Sequence, residues 1–91
     1  MELDALRKEI DEINEQVISL LGRRMKVAKK IASYKKKNSL PVYDPEREDI
    51  ERVKIEKLAK ECGLNPEFTA KLFSLFIEYT RLEMSFEMGL D

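Results

Sequence analysis

The 91-residue chain has one cysteine, Cys62, and no histidine, which excludes an intrachain disulfide framework, ordinary zinc sites and histidine acid–base catalysis. Its length makes one domain, residues 1–91, with a modest core of the kind that oligomerisation commonly supplements. A formal net charge of −1 conceals eight lysines and arginines with no acid between Gly22 and Leu40, against twelve acids and seven bases from Pro41 onward.

The acid-free stretch favours a small anion, while the acidic remainder would repel nucleic-acid phosphate. No apolar run reaches membrane-spanning length and no charged-then-apolar leader opens the chain. A cytoplasmic protein with neither a membrane nor a nucleic-acid partner is expected.

The first predicted element is an α-helix over residues 2–37. Leu3, Leu6, Ile10, Ile13, Val17, Leu20, Val27, Ile31 and Tyr34 form an apolar stripe at alternating three- and four-residue spacing, the signature of a helix packed lengthwise on a partner. At 1.5 Å per residue such a helix is about 50 Å long. A compact domain of this size is only about 30 Å across. The stripe therefore overshoots any globule the chain makes alone, and a second copy lying antiparallel is the simplest cover. Arg24 alone interrupts the stripe. A charge at that place needs an anion: a glutamate from another helix, a register-fixing contact in the seam, or a bound ligand.

Lys35, Lys36 and Lys37 close the first helix against its negative dipole end. A loop follows, and Asp44-Pro45 opens a second helix over 45–62, with Asp44 as N-cap and Gly63 as the left-handed stop. Asn65-Pro66 repeats the signal and starts a third helix over 66–88. Its expected core face is Phe68, Leu72, Leu75, Phe76, Tyr79, Leu82 and Phe86; Glu67, Lys71, Ser74, Glu78, Arg81 and Ser85 form the polar line opposite. At 100° per residue Glu83 falls about 200° from Arg81, inward among apolar groups. A carboxylate there must be paired, protonated or hydrated at a frayed helix end. The fold class is all-α, three helices.

Arg24 and Lys35 are eleven residues apart, about 16 Å along the axis and within about 20° of one face. Their side chains can converge on one small molecule, and Asp44 to Glu48 can fold back over it. Arg7 lies about 25 Å from Arg24 along the same helix and reaches that spot only from an antiparallel partner.

These segments resemble the all-helical chorismate mutase family. The likeness covers essentially the whole chain: Leu6-Arg7-Lys8-Glu9-Ile10-Asp11, Leu20-Leu21-Gly22-Arg23-Arg24, Ile31-Ala32-Ser33-Tyr34-Lys35, and Leu72-Phe73 through Ile77-Glu78. Pro41-Val42-Tyr43-Asp44-Pro45-Glu46-Arg47-Glu48 is similar to that family's P-V-x-D-x-x-R-E signature. The resemblance implies an intertwined homodimer with two active sites, no metal and no cofactor. Chorismate would be converted to prephenate, a step towards phenylalanine and tyrosine. It further implies that Arg7 of the other subunit grips one substrate carboxylate and that Arg24, helped by Thr80, grips the second. Lys35 would serve the ether oxygen and a carboxylate; Glu48, near the Asp44 backbone, would take the ring hydroxyl, and Arg47 would support the anionic site.

The residue inventory suits this chemistry. A concerted enol-ether rearrangement needs no nucleophile, base or metal; it needs a flexible dianion held in a chair and a cation where the C–O bond breaks. The sequence departs from the family at Met84, where a glutamine usually donates to the ether oxygen and a thioether cannot. Glu83, as a protonated acid, is the expected replacement, with Glu87 one turn on as the alternative. Isochorismate pyruvate lyase on the same fold is the nearest rival activity, and a non-catalytic helical dimerisation or regulatory module is the rival of another class.

Overall fold

The computed structural model describes residues 2–90. Three helices account for nearly all of them: α1 over Glu2–Lys37, α2 over Pro45–Glu61 and α3 over Pro66–Glu87. Each boundary lies within a residue of the sequence expectation because the signals that set it are local. Asp44 accepts at Oδ1 from the Arg47 N–H at 3.1 Å, and Asn65 accepts at Oδ1 from the Phe68 N–H at 2.8 Å. Both caps satisfy an orphan first-turn donor while the following proline has none to lose.

Each helix stops in the same way. Leu40 N–H reaches the Lys35 carbonyl at 2.8 Å, and Leu64 N–H reaches Ala59 at 2.8 Å, each across a residue with positive φ. This is the six-to-one closure that a left-handed residue permits. Gly63 adopts its φ of 74° freely, but at the end of α1 the left-handed residue is Ser39, at φ 54°. A side chain there costs about 1 kcal/mol. Ser39→Gly is accordingly expected to stabilise the protein by about 0.5–1 kcal/mol, read as a rise in Tm at fixed protein concentration. An unchanged or lower Tm contradicts it.

Helix α3 is the centre of the chain: α1 and α2 both pack on it and make no backbone approach to one another among the described residues. Ala28 and Ala32 of α1 are small enough to let Met84 of α3 fill the space between them, with Met25, Val42 and Met88 packed alongside. Ala59 is the fourth buried hydrophobic residue among those described. So small a core lies within an object of 56 × 23 × 17 Å.

The large apolar groups lie elsewhere. Every member of the α1 stripe from Leu3 to Tyr34 is at least 44 % exposed. The core face expected for α3 is corrected in part: Phe68, Leu72, Leu75, Tyr79, Leu82 and Phe86 are exposed, and of that set Phe76 alone is half-buried. The inner face of α3 is instead Phe73, Phe76, Ile77, Thr80, Met84 and Met88. Two rows of apolar residues run along this helix, and the chain's own α1 and α2 occupy the one that carries the hydroxyl.

Candidate active site

Where α1 diverges from α2 above α3, the three helices enclose a cavity of about 660 Å³. Its α1 wall presents Arg24, Ala28, Ile31 and Lys35, spaced four, three and four residues apart and hence on one face. The α2 wall presents Asp44, Arg47, Glu48 and Glu51 by the same periodicity, and α3 supplies Ile77, Thr80, Arg81 and Met84. The remaining lining residues are Leu20, Arg23, Val27 and Val42.

Polar contacts order this set before any ligand arrives. Arg24 donates from Nη1 to Thr80 Oγ1, and that hydroxyl donates in turn to the Phe76 carbonyl at 2.7 Å. The guanidinium is thus held against α3. Its Nη2 lies 3.8 Å from Glu51 Oε2, while Glu51 Oε1 accepts from Arg47 Nε at 3.2 Å. One carboxylate therefore holds arginines from two walls and ties α1 to α2. Lys35 Nζ donates to the Val42 carbonyl at 3.0 Å, which draws the 38–44 loop over the end of α1.

Five cations (Arg23, Arg24, Lys35, Arg47 and Arg81) face three carboxylates, Asp44, Glu48 and Glu51. The excess of two positive charges stands beside an apolar surface of Leu20, Val27, Ala28, Ile31, Val42, Ile77 and Met84. A small dianion with a hydrocarbon ring meets both requirements of such a lining, charge neutralisation and apolar contact.

The family model of chorismate mutase type II matches residues 6–84, a span that takes in every wall of this cavity. The chain belongs to that family. It is an enzyme of the isomerase class, and its reaction is the chorismate mutase reaction.

Individual mutases agree with the family assignment. The chorismate mutase of Methanocaldococcus jannaschii is 35% identical over 79 residues, covering 87% of this chain and 80% of that one. The bifunctional chorismate mutase/prephenate dehydratase of Aquifex aeolicus is 50% identical over 60 residues, 66% of this chain but 17% of its own length. The 4-amino-4-deoxychorismate mutase of Streptomyces venezuelae is 29% identical over 83 residues, 90% of this chain and 81% of that one. The chain thus spans most of the first and third of these relatives and a small part of the bifunctional one.

Of the residues singled out from the sequence of this chorismate mutase family member, Arg24, Lys35, Asp44, Arg47, Glu48, Thr80 and Met84 line one cavity. Arg7 does not; it is exposed on the part of α1 that extends beyond the other helices. Neither Glu83 nor Glu87 belongs to the lining, and Glu83 is half-buried on the flank of α3. The inward direction inferred for Glu83 rested on the apolar row that the chain leaves uncovered. Met84, one residue on, is the one that meets the cavity.

Two ion-pairing residues of the lining, Glu51 and Arg81, are not marked by the sequence as part of the site. Glu51 carried a usable signal, since it follows Arg47 by four residues and shares its helix face. Arg81 was assigned to the outer polar line, yet its Nε lies 3.3 Å from Glu48 Oε2 and its guanidinium carbon 5.0 Å from the centre of the Tyr43 ring. No sequence spacing shows that, because the contact depends on where α2 and the 38–44 loop settle against α3.

Proposed function

We propose that residues 1–91 act as one catalytic domain of an intertwined cytoplasmic homodimer, each cavity binding chorismate in a chair conformation and releasing prephenate. The observation that carries this reading is the excess of two positive charges around an apolar wall, which matches a dianion built on a hydrocarbon ring. The dimer is supported by the uncovered α1 stripe and by a core too small for so elongated a chain.

The side chains divide the work according to the bonds they have free. Arg24 spends Nη1 on Thr80, and a guanidinium has five N–H donors, so others remain for a substrate carboxylate held beside the Thr80 hydroxyl. Lys35 spends one ammonium proton on Val42; two remain, for the ether oxygen and a carboxylate. Glu48 accepts from the ring hydroxyl near the Asp44 backbone, and Arg47, steadied by Glu51, supports the anionic end. Arg7 of the partner subunit grips the other carboxylate.

Within that clamp the bond from the ring carbon to the ether oxygen breaks as the enolpyruvyl methylene carbon bonds to the ring; the enol C–O becomes a ketone carbonyl, and every electron pair stays within the substrate. Binding removes the entropy of a flexible side chain and leaves the reacting carbons in contact, an effect worth several orders of magnitude. Negative charge grows on the ether oxygen as the bond lengthens, and the Lys35 ammonium stands where it grows. Cation and geometry suffice, and Met84 contributes shape without a hydrogen bond. The product leads towards phenylalanine and tyrosine.

The test is the loss of chorismate absorbance on adding purified protein, with prephenate identified by its acid conversion to phenylpyruvate. Arg24→Ala is expected to lower kcat/KM about a thousandfold, since it removes a charge-assisted contact and the link to Thr80 at once. Saturable turnover that survives Arg24→Ala undiminished removes the cavity from consideration as the active site.

A further inference from the structure

The charges at the corner of the cavity where α2 meets α3 are paired before a substrate arrives. Glu48 Oε2 lies 3.3 Å from Arg81 Nε. That nitrogen is shielded from solvent and makes no hydrogen bond, so the contact with Glu48 is one of charge, off the N–H axis. The Tyr43 ring centre lies 5.0 Å from the guanidinium carbon, an arrangement that favours a cation over the ring face. Glu48 is therefore neutralised by its neighbour while its lone pairs stay open to a donor.

The cavity's other two carboxylates are committed as well. Glu51 serves Arg24 and Arg47, and Asp44 caps α2 by accepting from the Arg47 N–H. Of the three, Glu48 and Glu51 face arginines and Asp44 is held as the N-cap.

We propose that Arg81 is a specificity-determining positioning residue: by balancing Glu48 it commits that carboxylate to a neutral hydroxyl and disfavours a substrate carrying an ammonium at the same ring position. This rests on the reading that Glu48 faces the ring hydroxyl. A hydroxyl needs an acceptor and brings no charge, so a balanced carboxylate serves it well. An aliphatic amine is protonated near neutral pH and brings a full positive charge beside the Arg81 guanidinium. It would have to share one carboxylate with a cation that is already there, and like charges so close together in a partly enclosed site repel strongly.

The experiment compares kcat/KM for chorismate and for its 4-amino-4-deoxy analogue in the wild-type enzyme, Arg81→Met and Arg81→Lys. The wild type is expected to favour chorismate. In Arg81→Met the chorismate value should fall several-fold while the amino-analogue value rises, so that their ratio drops at least tenfold. Arg81→Lys keeps a cation beside Glu48 and should hold the ratio within about threefold of wild type. Arg81→Gln, polar and of similar length, gives the same readout if methionine disturbs packing against Tyr43. A merely structural role would lower both values together and leave the ratio unchanged, and that result overturns the assignment. Glu48→Gln separates the two levels of the argument: chorismate turnover indifferent to it overturns the placing of Glu48 at the hydroxyl, whatever Arg81 does.

Discussion

Subunits carrying Arg7→Ala, refolded together with subunits carrying Arg24→Ala, are expected to regain activity that neither parent possesses. Each parent homodimer has the same lesion in both sites, and each should fall about a thousandfold through loss of one carboxylate clamp. In the heterodimer one site collects both substitutions and the other collects none. Random reassociation of equal amounts places half of the chains in heterodimers, so recovery should approach about a quarter of wild-type activity. The physical basis is distance: Arg7 and Arg24 lie on one continuous helix, α1, about 25 Å apart, and no side chain closes that gap. Failure to recover, when one parent is isotope-labelled and native mass shows the heterodimer, means that Arg7 does not act across the interface.

Leu6→Asp and Ile13→Asp should each abolish folding together with association. Both residues belong to the apolar stripe and are half or more exposed in the isolated chain. A dimer that covers the stripe would bury two such aspartates by symmetry, one from each subunit. An unpaired carboxylate in an apolar interface costs about 3–5 kcal/mol. Two of them approach the whole stability of a small protein, about 5–15 kcal/mol. The chain has no second core to fall back on, because its buried hydrophobic residues among those described are three alanines and a methionine. Far-UV circular dichroism and sedimentation should report the loss of helix and dimer at once. A folded, soluble monomer of either variant would separate core from interface and refute the argument.

The two results bear on one property of the molecule. Helix α1 has two parts: its C-terminal half carries Arg24 and Lys35 into the cavity, and its N-terminal half is exposed throughout. The same extension that leaves the stripe exposed would carry Arg7 to a partner's site, so in the proposed dimer a substitution in the stripe should disturb catalysis and assembly together.

Much of this was legible in the 91 residues. Asp44-Pro45 and Asn65-Pro66 mark helix starts through hydrogen bonds that span three residues, and Gly63 marks a stop through its own φ. Such signals are complete within a few residues of chain, so they survive any tertiary arrangement. The excess length of α1 follows from a rise per residue that nothing downstream can alter. The approach of Arg24 and Lys35 to a common cavity follows from helical periodicity, and the family motifs pointed to Asp44, Arg47, Glu48 and Thr80.

Only the tertiary structure decided which of two apolar rows on α3 packs against its own chain. Periodicity marks a face as apolar without saying what covers it, and a chain with apolar surface to spare has two such faces. The row that packs inward puts Met84 on the cavity wall and leaves Glu83 outside the lining. The tertiary structure alone also decided the partners of Arg81 and Glu51. Long side chains swing through several ångströms about their own helix, and where they come to rest depends on the charges that other helices bring within reach.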